Sequence, residues 1–347
     1  MNFNLSEEHK AVQEAAKSFA ENECKPGVIE RDRDQIVGFE QLKQLGDLGF
    51  MGMMVDPKYG GSGMDTLSYV LAVEEISKID ASISVAMSVN NSLVCWGLEN
   101  YANEEQKQKY LPLLASGELI GSFALTEPDA GSDAGSVRTT ARLEGDHYIV
   151  NGTKRYITNA PSAQLFTVFA RTDPDQAGAK GVSAFLVDAT TPGITLSTPY
   201  RKMGQQGAHV CDVIFEDCRV PASQMLGGSA MLHKGFQTAM KTLDRGRIHI
   251  SALSVGCAGR LIDLCLSYGQ ERTQFGQPIA EFQLLQGMIA DSKAESYAAE
   301  CMVLDTAKRR DQGENVNTLA SCCKLYATEM VGRVADRAVQ YLSLIHI

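Results

Sequence analysis

A chain of 347 residues, 44% hydrophobic and 21% charged, has the length of about two or three domains and can bury a large core. No apolar run approaches the roughly 18 residues a membrane-spanning helix needs, so composition points to a soluble globular protein with no membrane partner. With 32 Lys and Arg against 42 Asp and Glu, the net charge of −10 argues against nucleic acid as a partner.

The N-terminal residues show neither a basic stretch followed by an apolar one nor an Arg-rich transit pattern, so a cytoplasmic, bacterial location is expected. Ser6 is the expected cap of a first helix whose apolar stripe is Val12, Ala15, Ala16 and Phe19. Helical periodicity continues over residues 39–48, 65–79, 83–101 and 104–116. The cluster Gly60-Gly61-Ser62-Gly63 fails as a dinucleotide fingerprint, because Thr66 stands where the third glycine belongs and Pro57 interrupts the strand required before it. The glycosylation triplets at Asn90 and Asn151 are read as chance matches.

Near Ile120 the period changes. Alternating, β-branched segments at 148–150, 155–157, 165–170, 182–187, 194–197 and 210–215 predict a compact antiparallel sheet or barrel, with Asn151-Gly152 as a hairpin signal. Beyond Gly228 one apolar face runs from Phe236 to Tyr268, 33 residues or about 50 Å of helix. Helices over 282–311 and 316–341 follow. The expected class is α+β, divided into a helical domain (1–119), a middle β-barrel (120–226) and a C-terminal helical bundle (227–347).

The nine cysteines, including the adjacent Cys322-Cys323, show no CxxC spacing and are read as reduced thiols. Metal-spaced His/Cys sets, GxSxG and Walker A motifs are absent. What remains is the polar stretch from Phe123 to Ser136, whose small residues and turn formers leave backbone N–H groups accessible to a polar ring edge or a pyrophosphate. On composition alone, a surface double turn is the competing reading.

Taken together, four segments resemble the acyl-CoA dehydrogenase family. They are Leu125-Thr126-Glu127-Pro128-Asp129-Ala130-Gly131-Ser132-Asp133, Asn151-Gly152-Thr153-Lys154-Arg155-Tyr156-Ile157-Thr158-Asn159, Leu243-Asp244-Arg245-Gly246-Arg247-Ile248, and Arg272-Thr273-Gln274-Phe275-Gly276-Gln277-Pro278-Ile279 followed by Gln283. The resemblance covers Phe3 to Gln340 and implies the α, β, α order as the family fold. It also implies FAD as cofactor, an acyl-CoA substrate, an electron-transferring flavoprotein as electron acceptor, and a dimer or dimer of dimers. The implied reaction removes the α-proton and β-hydride of the thioester, giving a trans-2-enoyl-CoA.

By the same resemblance, Phe123, Leu125 and Thr126 contact the isoalloxazine edge, and Ser132 the phosphate region of CoA or FAD. Thr158 faces flavin N5 with Tyr156 and Ile157 beside it; the family more often has Trp at the Tyr156 position. Asp244 and Arg247 match CoA contacts. Arg272, Phe275, Gln283 and Gln340 match residues reaching the FAD of a neighbouring subunit. The competing readings are strand packing, solvated helix charges or, for Arg247, a structural ion pair, and core packing for Phe275. The catalytic glutamate is expected beyond residue 347: Gly246 occupies the alternative base position, the tail 341–347 reads as a truncation, and Glu127 is expected to serve structure. The chain as given is thus expected to be inactive. A non-catalytic flavin or acyl-CoA binder, and a flavin oxidase or monooxygenase on the same scaffold, stand as alternatives.

Overall fold

The computed structural model describes residues 4–343; the expectations for Phe3 and for 344–347 fall outside them. Among the described residues the helices are α1 (Glu7–Phe19), α2 (Val28–Arg33), α3 (Phe39–Asp47), α4 (Thr66–Ser77), α5 (Ala81–Ser88), α6 (Trp96–Tyr101), α7 (Glu104–Ala115), α8 (Gly235–Glu271), α9 (Gln283–Asp311) and α10 (Asn317–Leu342). The strands are β1 (Gly121–Ala124), β2 (Thr140–Glu144), β3 (His147–Thr158), β4 (Leu165–Arg171), β5 (Val182–Asp188), β6 (Ile194–Leu196), β7 (Val210–Pro221), β8 (Thr273–Gln274) and β9 (Gln277–Pro278). A helical N-terminal part, a middle β half-barrel and a C-terminal helical part make an α+β fold. By contacts the chain forms two compact units, Met1–Val28 with Asp65–Ser84 and Arg247–Ile347, and Ile29–Met64 with Val85–Gly246.

In the first unit, the Ser6 hydroxyl accepts the His9 N–H in a capping box. Ala16 and Phe19 are buried and Val12 half-buried, whereas Ala15 is exposed, because it falls off the stripe by one position. Asp65 caps α4 through the Ser68 N–H, and the two Asp311 carboxylate oxygens accept the N–H groups of Thr66 and Leu67. Every residue of α4 is buried, so its polar members need partners. Lys78 Nζ lies 3.5 Å from Glu74 and 2.9 Å from Glu75.

Burial pushes the Glu74 carboxyl up to about 7; Lys78 opposes the rise, while Glu300 and Glu75 add to it. The folded value lies above the ordinary 4.5. Burying Glu74 therefore costs nothing below that pH, costs progressively more up to about pH 7, and costs a constant amount above it. Glu74→Gln should stabilise the protein by about 1–3 kcal/mol near pH 8 and by little near pH 5. Urea unfolding at the two pH values checks this, and a variant weaker than the parent at the higher pH contradicts it.

The helix α8 contains an 18-residue window of mean hydropathy 1.4, half of it buried, and by length and composition alone it could cross a membrane. The expectation that no stretch approaches that length is corrected here. Serine, glycine and alanine between the larger apolar residues of α8 disguise the run in the sequence.

In the second unit, strands pair in the order β1-β4-β2-β3-β7-β6, with β5 on the other side of β4. Most pairs are antiparallel as expected, but β1 runs parallel to β4, Phe123 opposite Thr167. The expected Asn151-Gly152 hairpin is not a turn, and 148–150 and 155–157 belong to one strand, β3. The chain reverses one step earlier, at Gly145 (φ 62°). Gly152 (φ 146°) is instead a bulge site where an added Cβ would sit 2.5 to 2.8 Å from Thr139, while Asn151 exchanges hydrogen bonds with Asp217 of β7. The helix expected over 83–101 is interrupted by a π-helical stretch, Val89–Cys95. There the buried side chains of Asn90 and Asn91 bond the main chain of Met51, Leu114, Gly121, Phe50, Met53 and Met87. Asn90 is fully buried, consistent with the chance reading of its triplet. The Gly60 to Gly63 segment is a loop in which an added Cβ on Gly61 would meet Val55 at 2.2 to 2.5 Å.

Candidate flavin site

Two of the four segments meet in the second unit, the first just past the end of β1 and the second on β3, joined by hydrogen bonds outside the sheet ladder. The Ser122 hydroxyl donates to the Thr158 carbonyl at 2.6 Å, and the Arg155 N–H to the Thr126 carbonyl at 2.7 Å. These bonds bring Phe123, Leu125, Thr126 and Thr158 together. Leu125 and Ile157 are buried in the core. Phe123 is half-buried against Phe169, with ring centroids 4.8 Å apart. Thr126 and Thr158 are half-buried, and their hydroxyls have no hydrogen-bond partner among the described residues. Two unspent hydroxyls at the end of a sheet suit a ligand with a polar edge.

Beneath this edge lies a group that sequence reasoning quoted but did not single out. Lys154, fully buried, donates to Glu127 Oε1 at 2.7 Å and to the Leu125 carbonyl at 3.0 Å. The Glu127 carboxylate also accepts the N–H groups of Arg138 and Thr139 at 2.6 and 2.9 Å. Burial pulls the Lys154 ammonium down to about 8 against the attraction of Glu127. Burial alone would raise Glu127, but Lys154 and the surrounding donors outweigh it and hold the carboxylate below its ordinary value. Lys154 fell between the two strands expected at 148–150 and 155–157, and only their merging into β3 turns it inward.

The Ser132 turn is exposed. At the end of β4, Arg171 donates to five carbonyls, those of Gly135, Val137, Gln176, Gly178 and Lys180, at 2.6 to 3.1 Å. Tyr156 (φ 58°, 62% exposed) projects outward at a second irregularity of β3. Its ring lies 5.3 Å from that of Tyr200, whose hydroxyl bonds Asp212, and Arg155 bonds the other Asp212 oxygen. A tyrosine pair thus occupies the surface at the position where the family more often has Trp.

Asp244 lies half-buried on the part of α8 in the second unit, and Gly246, near Leu93, offers no carboxylate. Arg247, Arg272, Phe275, Gln283 and Gln340 belong to the first unit. The hairpin β8–β9 turns at Phe275 (φ 53°) and Gly276 (φ 81°), leaving Phe275 94% exposed and its ring 6.1 Å from Phe282. The reading of Phe275 as core is thereby excluded within this chain. Arg272 and Gln283 flank the hairpin with exposed side chains free of partners among the described residues. Gln340, exposed on α10, precedes Tyr341, which packs with Cys265, Ile279 and Phe282.

Sequence models of the acyl-CoA dehydrogenase N-terminal, middle and C-terminal domains match residues 6–118, 122–218 and 233–344. The chain belongs to the acyl-CoA dehydrogenase family. It is 43% identical over 340 residues to a probable acyl-CoA dehydrogenase of Bacillus subtilis, covering 98% of this chain and 89% of that one. A short-chain specific acyl-CoA dehydrogenase of Clostridium acetobutylicum is 40% identical over 340 residues, with the same shares covered. The three-dimensional structure of butyryl-CoA dehydrogenase from Megasphaera elsdenii, 37% identical, superposes with a TM-score of 0.95 over 100% of this chain and 90% of that one.

The cofactor of this acyl-CoA dehydrogenase family member is FAD. The donors present fit it: Thr126 and Thr158 offer unspent hydroxyls beside the half-buried Phe123, and the exposed turn at Gly131 and Ser132 leaves room for a Cβ at Gly131, with nothing within 4 Å. Among the described residues no group of His, Cys, Asp and Glu could hold a metal ion.

Proposed function

We propose that the protein catalyses FAD-dependent α,β-dehydrogenation of a short-chain acyl-CoA and passes the electrons to an electron-transferring flavoprotein. The observation that carries this reading is the pair of unpartnered hydroxyls of Thr126, just past the end of β1, and Thr158, at the end of β3, two segments held together by the Ser122–Thr158 and Arg155–Thr126 bonds. A thioester α-proton is weakly acidic, so the reaction needs a base in a water-poor site and hydrogen bonds to the developing enolate oxygen. When bound, FAD supplies the hydride acceptor. Thr126 and Thr158 orient the ring edge by hydrogen bonds, Phe123 offers it an apolar surface, and the Tyr156–Tyr200 pair restricts water at the strand end. Ser132 and Arg272 serve phosphate groups, Arg272 together with Phe275, Gln283 and Gln340 toward the FAD of a second copy in a dimer or dimer of dimers. Asp244 and Arg247 serve CoA, and the domain limits follow 1–119, 120–226 and 227–347, in a cytoplasmic protein.

The proton acceptor in this reading is neither position 246, a glycine, nor Glu127, whose oxygens are already engaged by an ammonium and two N–H groups. Short-chain preference is supported by the named specificities of the Clostridium and Megasphaera relatives. The test is anaerobic mixing of FAD-reconstituted protein with saturated acyl-CoAs from butyryl to palmitoyl, following the oxidised-flavin band. The short thioesters should perturb or bleach it at the lowest concentration. A protein that takes up no FAD, or responds equally to all chain lengths, contradicts the proposal. Glu127→Gln should leave any bleaching within about tenfold of the parent once FAD is saturating, whereas loss of a true base costs about 10²- to 10⁴-fold.

A further inference from the structure

We propose that Lys154 is a positioning residue for the flavin, acting with Glu127 as a buried clasp that fixes the segment 125–127 from below. The inference rests on the flavin reading of that segment and deepens it. Strand β3 grips the segment at three successive residues: Lys154 Nζ on the Leu125 carbonyl, the Arg155 N–H on the Thr126 carbonyl, and Lys154 Nζ on the Glu127 carboxylate. Glu127 carries the grip onward to the N–H groups of Arg138 and Thr139, so both ends of the 127–139 excursion are tied to one carboxylate. The Glu127 and Ala130 main chains also bond each other reciprocally. Neither Lys154 nor Glu127 reaches solvent appreciably, 0% and 5% of their side chains being exposed.

Such a pair is weak as a source of stability, because removing two charges from water offsets most of their attraction. Its distinctive property is geometric. An ammonium donating simultaneously to a backbone carbonyl and a carboxylate sets where the Leu125–Thr126 peptide sits, and with it the Thr126 hydroxyl. A fixed cation on the Leu125 carbonyl also polarises that peptide, making its N–H, which points the opposite way, the stronger donor.

The test uses the full chain carrying Lys154→Met with Glu127→Gln, which removes both charges together and leaves an amide oxygen for the Arg138 and Thr139 N–H groups. Three quantities are measured: thermal unfolding of the FAD-free protein, FAD affinity, and flavin midpoint potential. The FAD-free double variant should unfold within a few degrees of the parent. Its FAD affinity should fall tenfold or more, and the ratio of its affinities for oxidised and reduced FAD should change about tenfold, equivalent to about 30 mV for a two-electron couple. Glu127→Gln alone gives the same readouts by a milder change should the double variant fold poorly. Folded variants with parental FAD affinity and potential overturn the clasp alone. A parent chain that takes up no FAD overturns the flavin reading and the clasp with it.

Discussion

Lys154→Met as a single change should destabilise the protein by about 3–5 kcal/mol, the cost of leaving one partner of a buried ion pair without the other. Glu127 is 5% exposed and would retain two main-chain N–H donors but lose its counter-charge. Adding Glu127→Gln should return most of that loss, a coupling that separates an orphaned charge from a simple packing defect. Urea unfolding of the parent, both single variants and the double variant closes the cycle. If the double variant is as unstable as the sum of the singles, the pair is not coupled and the account fails.

The second large effect concerns two glycines three residues apart in α8. At Gly256 an added Cβ would lie 2.1 Å from the Ser77 hydroxyl and 2.3 Å from the Glu74 carbonyl oxygen; at Gly259 the nearest atom is Lys78 Cε at 3.6 Å. The first contact includes backbone of α4, which cannot rotate away, and overpacking of this kind costs about 1–3 kcal/mol. Gly256→Ala should therefore destabilise despite the better helix propensity of alanine, and Gly256→Val more so. Gly259→Ala, at an ordinary contact distance, should stabilise by about 0.5–1 kcal/mol. Thermal unfolding of the two alanine variants decides the matter: shifts of the same sign would mean that α4 and α8 are not held in the close approach described.

The helices were legible because their signals are local. Ser6 caps α1, Asp65 caps α4, and the long periodic runs ended within a few residues of the expected positions. Asn151-Gly152 misled because the same dipeptide serves a tight turn and a bulge, and what decides between them is Thr139 pressing on Gly152 from another strand. The parallel pairing of β1 with β4 and the π-helical stretch at Val89–Cys95 likewise depend on distant partners, for example Gly121 donating to the Asn90 side chain. At the site, Thr126 and Thr158 were accessible through resemblance. Lys154, Asp212 and Tyr200 were not, since a buried lysine or a hydroxyl-to-carboxylate bond leaves no periodic trace.

Arg171 shows how such a distant partner can relax constraints elsewhere. All five of its hydrogen bonds end on main-chain oxygens, three of them within residues 176–180. Oxygens of this kind are contributed by every amino acid, so the guanidinium recognises the course of the loop and is indifferent to its spelling. Side chains such as Asp175, Gln176 and Lys180 can drift by substitution while the loop keeps its path, whereas a lysine at 171, lacking the planar fork, could not hold several carbonyls in their present directions. The shape of this surface segment is thus inherited through one residue that lies outside it.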